Sequence, residues 1–179
     1  MTGNELFFAK VKENAIIPTK SSENAGYDLY ACFDEDVIYI APLETKMIPT
    51  GIATAMSNDW YMQIQERGST GSKGIKYGAG VIDSGYRGEW FVPITNCTCK
   101  LLAITDKTFD EIRELDGQYV VHNKVCYNKN GILFYPKSKA IAQAVVLPVP
   151  KMDVKEISYD ELLKIKSSRG TGALGSSGK

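Results

Sequence analysis

The chain has 179 residues, 44% of them hydrophobic, which is enough for one domain with a buried core. Lysine plus arginine and aspartate plus glutamate both number 21, so no net field exists to hold a nucleic acid by charge alone. No apolar run approaches the roughly 20 residues that cross a bilayer, and the first ten residues lack the basic-then-apolar order of an export signal, which predicts a cytoplasmic protein without a membrane contact.

Short runs rich in Val, Ile, Tyr and Phe between turn residues predict strands at 7–11, 37–40, 47–52, 60–65, 89–94, 119–125, 132–135 and 141–149. The run from Trp60 to Gln65 alternates apolar and more polar side chains, as a strand with one buried face does. Two short helices are expected at 108–115 and 158–165, each opened by a capping box: Thr108 with Glu111, and Ser158 with Glu161. Asn130-Gly131 suggests a hairpin turn between the strands at 119–125 and 132–135. From 167 to 179 the chain is nearly all Gly, Ser, Thr and Ala beside Arg169, a composition that predicts a mobile arm.

Cys32, Cys97, Cys99 and Cys126 are expected as free thiols in a reducing compartment. Cys97 and Cys99 are spaced as C-x-C, but no second pair follows and His122 is the single histidine, which speaks against a zinc site.

The segment most suited to chemistry is Gly80-Val81-Ile82-Asp83-Ser84-Gly85-Tyr86-Arg87-Gly88-Glu89: an apolar lead-in, a carboxylate, a glycine turn and an aromatic. It predicts a tight hairpin whose backbone is open to a flat ligand.

Five segments together carry a family resemblance: Asn24-Ala25-Gly26-Tyr27-Asp28-Leu29-Tyr30-Ala31, Glu66-Arg67-Gly68-Ser69-Thr70-Gly71-Ser72-Lys73-Gly74, Gly80 to Glu89, Ile141-Ala142-Gln143-Ala144-Val145-Val146, and Arg169 to Gly178. In kind and order they resemble the five motifs of the homotrimeric dUTPases. The resemblance implies a mainly β, jelly-roll-like fold with a short helix. It divides the chain into a β domain over 1–166 and a C-terminal lid over 167–179 that closes a site formed by two other subunits. It also implies hydrolysis of dUTP to dUMP and pyrophosphate.

By the resemblance, Asp83 is the base that activates water for attack on the α-phosphorus, with Glu89 as a nearby carboxylate alternative. Mg2+ is the expected cofactor, supported through water by Asp28. Arg67, Gly68, Ser69, Thr70 and Gln143 would meet the phosphates, joined from the lid by Arg169, Gly172, Gly175, Ser176 and Ser177. Gly80, Val81 and Ile82 would read uracil through backbone groups, Tyr86 would pack on the deoxyribose and Leu174 would cover the base.

Three departures stand out. Gly68 follows Arg67 where the family commonly has serine; Ala140 replaces a basic residue; Leu174 replaces the aromatic of the lid. The stretch 97–139 is an insertion longer than the family's usual loop. It resembles insertions of phage-encoded members, some of which bind regulatory proteins, and a decoration of the trimer edge is the plainer reading. The alternatives to the dUTPase reading are a dCTP deaminase of the same superfamily, and a regulatory protein-binding module acting through the insertion.

Overall fold

The alternation from Trp60 to Gln65 folds as expected: Met62 and Ile64 are buried at 0% and 1% exposure while Gln63 and Gln65 face outward. This computed structural model describes residues 4–78, 80–113 and 117–172. The chain divides into two units, Met1–Val149 and Pro150–Lys179.

The first unit is built of short strands: β1 Leu6–Lys10, β2 Gly26–Leu29, β3 Ile38–Ile40, β4 Thr45–Pro49, β5 Ile52–Met56, β6 Trp60–Gln65, β7 Ile75–Tyr77, β8 Val81–Ile82, β9 Phe91–Asn96, β10 Leu101–Ile104, β11 Tyr119–His122, β12 Val125–Asn128, β13 Ile132–Tyr135 and β14 Ala142–Pro148. A four-stranded sheet in the order β2-β14-β6-β8 and a three-stranded sheet in the order β4-β9-β7 supply much of one core. Into it point Leu29, Met62, Ile64, Ala142 and Ala144 from the first sheet, Ile48, Val92 and Ile94 from the second, and the wholly buried Trp90. Each buried Leu, Ile, Val or Met among these contributes about 1.5–3 kcal/mol of apolar burial. The result is the mainly β, jelly-roll-like sandwich that the resemblance implied.

Several expected elements are corrected. The strand predicted at 47–52 is two strands, β4 and β5, because Gly51 adopts a left-handed φ of 68° between them; a Cβ there would stand 2.8 Å from both Ala15 Cβ and Cys32 Sγ. The hairpin predicted over Gly80 to Glu89 is a crossing between sheets: β8 pairs with β6, whereas β9 pairs with β4 and β7. The strand predicted at 119–125 is itself a hairpin, β11 with β12, turned at Asn123 and Lys124 with φ of 49° and 65°. Two successive left-handed residues are what a tight two-residue turn requires, and asparagine tolerates that conformation. Asn130-Gly131 lies in a single 3₁₀ turn, which Asn128 caps by accepting from the Gly131 N–H at 3.0 Å. The strand after it, β13, runs parallel to β10.

Strand β10 was not anticipated. Its four residues are all buried, Leu102 and Ile104 in the main core, Leu101 and Ala103 in a second cluster with Phe109, Val120 and Ile132. A strand covered on both faces shows no alternation to read. The second cluster is the insertion's own core, and the α2 helix, Phe109–Ile112, is fastened to it by Phe109. The helix predicted at 108–115 is therefore shorter than expected: Arg113 is already extended, and Leu115 falls outside the described residues.

In the second unit, α3 spans Tyr159–Lys164 with the Ser158–Glu161 capping box in place. Further on, Ser167 Oγ accepts from the N–H groups of Arg169 and Gly170. The predicted lid residues Leu174, Gly175, Ser176 and Ser177 lie outside the described residues. No described helix is long and apolar enough to cross a membrane.

Candidate active site

Asp28 stands on β2, level with Gln143 on β14 and, through it, with Gln65 at the end of β6. The chain leaves β6 through Glu66 and Arg67 and at once forms α1, Gly68–Gly71, a helical turn that the Gly-Ser-Thr-Gly composition concealed. Arg67 O holds this turn by accepting from the N–H groups of Thr70 and Gly71 and from Thr70 Oγ1.

The Arg67 guanidinium is thereby aimed at Asp28. Nε lies 3.1 Å from Oδ1 and Nη2 donates to Oδ2 at 3.4 Å, a two-point fork, while Nη1 donates to Ala140 O at 3.2 Å. Ala140, where the family commonly carries a basic residue, thus contributes its carbonyl. Gln143 Nε2 donates to Glu66 O at 2.7 Å, so this side chain braces the strand leading to Arg67. Gly26 makes room for it: a Cβ there would lie 2.5 Å from Gln143 Oε1.

Asp28, Arg67, Gly68, Ser69 and Gln143 line one open cleft of about 460 Å³, together with Glu23 and Gly26. Three of the resembling segments therefore meet in one place. Thr70 does not line this cleft; it is buried, and its hydroxyl is taken up by Arg67 O. Beside the site, burial pushes the Tyr77 phenol up, and the Glu66 carboxylate adds to the shift.

The third segment lines a different cleft, of about 270 Å³, walled by Met47, Ile64, Trp90, Phe91 and Pro93 and edged by Gly80, Val81, Ile82, Asp83, Tyr86 and Glu89. Gly80 packs on β6, where a Cβ would meet Ile64 O at 2.7 Å, and its own carbonyl accepts from the Ile64 N–H at 2.7 Å. Asp83 O accepts from the Tyr86 N–H at 3.1 Å, closing a turn from which both side chains emerge exposed. Tyr86 OH donates to Glu89 O at 2.9 Å. The Glu89 carboxylate accepts from the Gly51 N–H at 2.8 Å, which commits it to holding the β4–β5 turn and leaves Asp83 as the free carboxylate of the cleft. Arg87, whose role no sequence pattern marks, donates to Ser84 O and Tyr86 O in this turn and to Thr54 O on β5.

The register separates the two clefts. Asp28 is level with Gln65 on β6, Ile82 is level with Met62, and three strand-to-strand steps lie between β2 and β8. At about 4.8 Å per strand and about 3.3 Å per residue, Ile82 is roughly 17 Å from Asp28, and Asp83 lies one residue further away. In the second unit Arg169 Nε donates to Gly172 O at 2.9 Å within its own turn.

Among the described residues no cluster of three or more His, Cys, Asp or Glu is placed to hold a metal. The cysteines are all unbridged, and burial pushes the Cys32 thiol up, which suits its donation to Asn14 Oδ1 at 3.1 Å.

The fold and the two clefts define a jelly-roll-like β protein with a polar, arginine-bearing recess and a separate apolar recess edged by an unpaired carboxylate. The family model for dUTPase matches residues 12–108. The deoxyuridine 5'-triphosphate nucleotidohydrolase of Neisseria meningitidis serogroup B is 32% identical over 168 residues, covering 91% of this chain and 88% of that protein. The enzyme of the same name from Leptospira interrogans is 32% identical over 96 residues, 51% of this chain, and the match spans 66% of its length. The chain belongs to the dUTPase family. Its fold is also that of the Staphylococcus bacteriophage 80alpha dUTPase solved with dUPNHPP, at a TM-score of 0.71 and 23% identity over 99% of this chain and 100% of that one. A mutant dUTPase of Staphylococcus aureus phage phi11, described with a structural Mg(II) ion, superposes at a TM-score of 0.62 with 22% identity over 86% and 97%.

Proposed function

We propose that the chain hydrolyses dUTP to dUMP and pyrophosphate at sites assembled between copies of itself in a homotrimer. The observation that carries this reading is the separation of the two clefts. A nucleophilic water must come within about 3–3.5 Å of the phosphorus it attacks. The groups suited to phosphate, Arg67, Gly68 and Ser69, and the Asp28 carboxylate suited to the metal therefore cannot serve the same nucleotide as Asp83 of their own chain. Head-to-tail association brings the polar cleft of one copy to the apolar cleft of the next. The exposed Met47, Val81 and Phe91 beside Asp83 are suited to cover by a neighbour.

In the assembled site Asp83 takes a proton from a water whose oxygen bonds to the α-phosphorus. The bridging P–O bond to the β-phosphate breaks, and pyrophosphate leaves with the electron pair. A general base contributes about 10²- to 10⁴-fold, so positioning and charge stabilisation by Arg67, Ser69 and the Gly68 backbone carry the rest. Tyr86 packs on the deoxyribose and leaves no space for a 2′-hydroxyl; the backbone of Gly80, Val81 and Ile82 reads uracil. The lid, with Arg169 and Gly172 at its start and Leu174, Gly175, Ser176 and Ser177 beyond, closes over the nucleotide.

Mg2+ fits this site. The partly exposed Asp28 carboxylate, held in place by Arg67, suits an ion whose shell comes mainly from triphosphate oxygens and waters. When bound, the ion neutralises developing phosphate charge.

The first test is pyrophosphate release from dUTP, dTTP, dCTP and UTP with and without magnesium; release of ammonia from dCTP instead would mean a deaminase. The second mixes two inactive variants, Asp83→Asn and Arg67→Ala. If sites form between chains, random assortment restores roughly a quarter of them, whereas a site within one chain stays dead in every mixture.

A contact role for the insertion stands beside this reading, because its hairpin exposes Tyr119, Val121 and Val125 in spite of having a core of its own. Equal recovery of a binding protein by the full chain and by a chain lacking the hairpin would end it.

A further inference from the structure

We infer that Arg87 is the positioning residue of the Asp83–Tyr86 turn, holding the loop so that the carboxylate and the aromatic ring both edge the same cleft. The inference rests on the reading that this cleft takes the nucleoside part of dUTP.

The loop needs such a device. Between Ile82, the last residue of β8, and Phe91, the first of β9, the backbone has left one sheet and not yet joined the other. Within the turn itself the Tyr86 N–H to Asp83 O bond is the backbone bond among the described residues. Gly85 has open space around its missing Cβ, so no side chain packs the tip. Held by one bond, a glycine-containing turn samples many conformations.

Arg87 supplies what is missing. Its Nη1 donates to Ser84 O at 2.6 Å, Tyr86 O at 3.1 Å and Thr54 O at 3.3 Å. This nitrogen has two hydrogens for three acceptors, so the shortest contact dominates and the other two share. The first two acceptors belong to the turn. The third is on β5, within the body, so the guanidinium ties the loop to a fixed strand. In a trans peptide C=O and N–H point in opposite directions, so turning Ser84 O toward Arg87 turns the Gly85 N–H away from it. Fixing that peptide and the one after Tyr86 fixes where the side chains of Asp83 and Tyr86 leave the backbone. The Tyr86 ring is then backed by Gly88, where a Cβ would stand 2.6 Å from Tyr86 Cζ, and its hydroxyl is tied to Glu89 O. The residues on either side of Arg87 are thus fitted to one geometry. Lysine also carries its donors on one nitrogen, but its side chain is one bond shorter than the path to Arg87 Nη1, so it reproduces the set only in part.

The test uses the full chain with Arg87→Ala and Arg87→Lys. In Arg87→Ala, kcat/KM for dUTP falls by about tenfold or more, and the preference for dUTP over UTP shrinks by about fivefold. Competition by pyrophosphate, which probes only the phosphate groups, stays at the parent level, as does the melting temperature. Guanidinium ion in the assay restores part of the activity of Arg87→Ala and none to Asp83→Asn; Arg87→Lys lies between parent and alanine. Amide exchange over 83–88 accelerates in Arg87→Ala whether or not the parent turns over dUTP, so the inference is read even if the substrate assignment fails. Unchanged exchange, unchanged selectivity, or a uniform loss of activity with a lowered melting temperature would each overturn it. A parent chain that leaves dUTP intact overturns the substrate assignment instead.

Discussion

The two clefts of the β body differ in how their charged groups are held. Arg67 and Asp28 are paired two-point to one another and braced by Ala140 O, whereas the exposed Asp83 carboxylate has no side-chain partner among the described residues. The difference follows the chemistry each is suited to. A group that orients phosphate gains from being fixed before the ligand arrives, and a group that must take up a proton has to keep its lone pairs free.

Changing Asp83 gives the largest expected effect on this contrast. Asp83→Asn lowers kcat by at least about a hundredfold while dUTP affinity, read by calorimetry, changes little; comparable turnover would dissolve the distinction between a holding cleft and a reacting one. Removing everything after Lys166 tests whether the two clefts suffice by themselves. Oligomer size, measured by light scattering, is retained and turnover drops by about tenfold or more, and a truncated chain of full activity would mean that no lid is needed.

A subtler change sits beneath the polar cleft. Gly26→Ala forces Gln143 off Glu66 O, since the new Cβ would fall 2.5 Å from Gln143 Oε1. It costs about 1–3 kcal/mol, seen as a lower melting temperature together with a raised KM; a variant melting with the parent would show that Gln143 yields freely.

The smallest effect lies in the insertion, away from both clefts. The Glu111 carboxyl is held below the usual carboxylate range, first by the Thr108 N–H and then by the Thr108 hydroxyl, both at 2.7 Å. A depressed value means that the cap's stabilisation is fully present above the unfolded value of about 4.3 and fades as pH falls through the folded one. Amide protection at 108–112, the exchange rate taken relative to the intrinsic rate at each pH, should therefore fall on acidification in the parent, and Glu111→Gln should be less protected already at neutral pH with little further change in protection. Parallel profiles for the two would remove the cap from the insertion's stability.

Comparison of the insertion with the body also marks where sequence patterns succeed. Strands with one solvated face, such as β6, announced themselves by alternation, and both capping boxes were legible because they depend on residues three apart. β10 was hidden because the insertion covers its second face. The β11–β12 turn was missed because Asn123-Lys124 lacks the glycine that usually advertises such turns, and α1 because Gly-Ser-Thr-Gly reads as loop until Arg67 O gathers its donors.

The amino-acid order alone therefore determined the family, the β class and which residue types are available for phosphate and base, since motifs and caps are local. The tertiary structure decided which of those residues meet: Asp28, Arg67 and Gln143 share one recess, Asp83 and Tyr86 another, and Glu89 is taken by Gly51. That division is set by strand order and register, which arise from pairings between residues far apart in the chain and leave no mark on any short stretch of it.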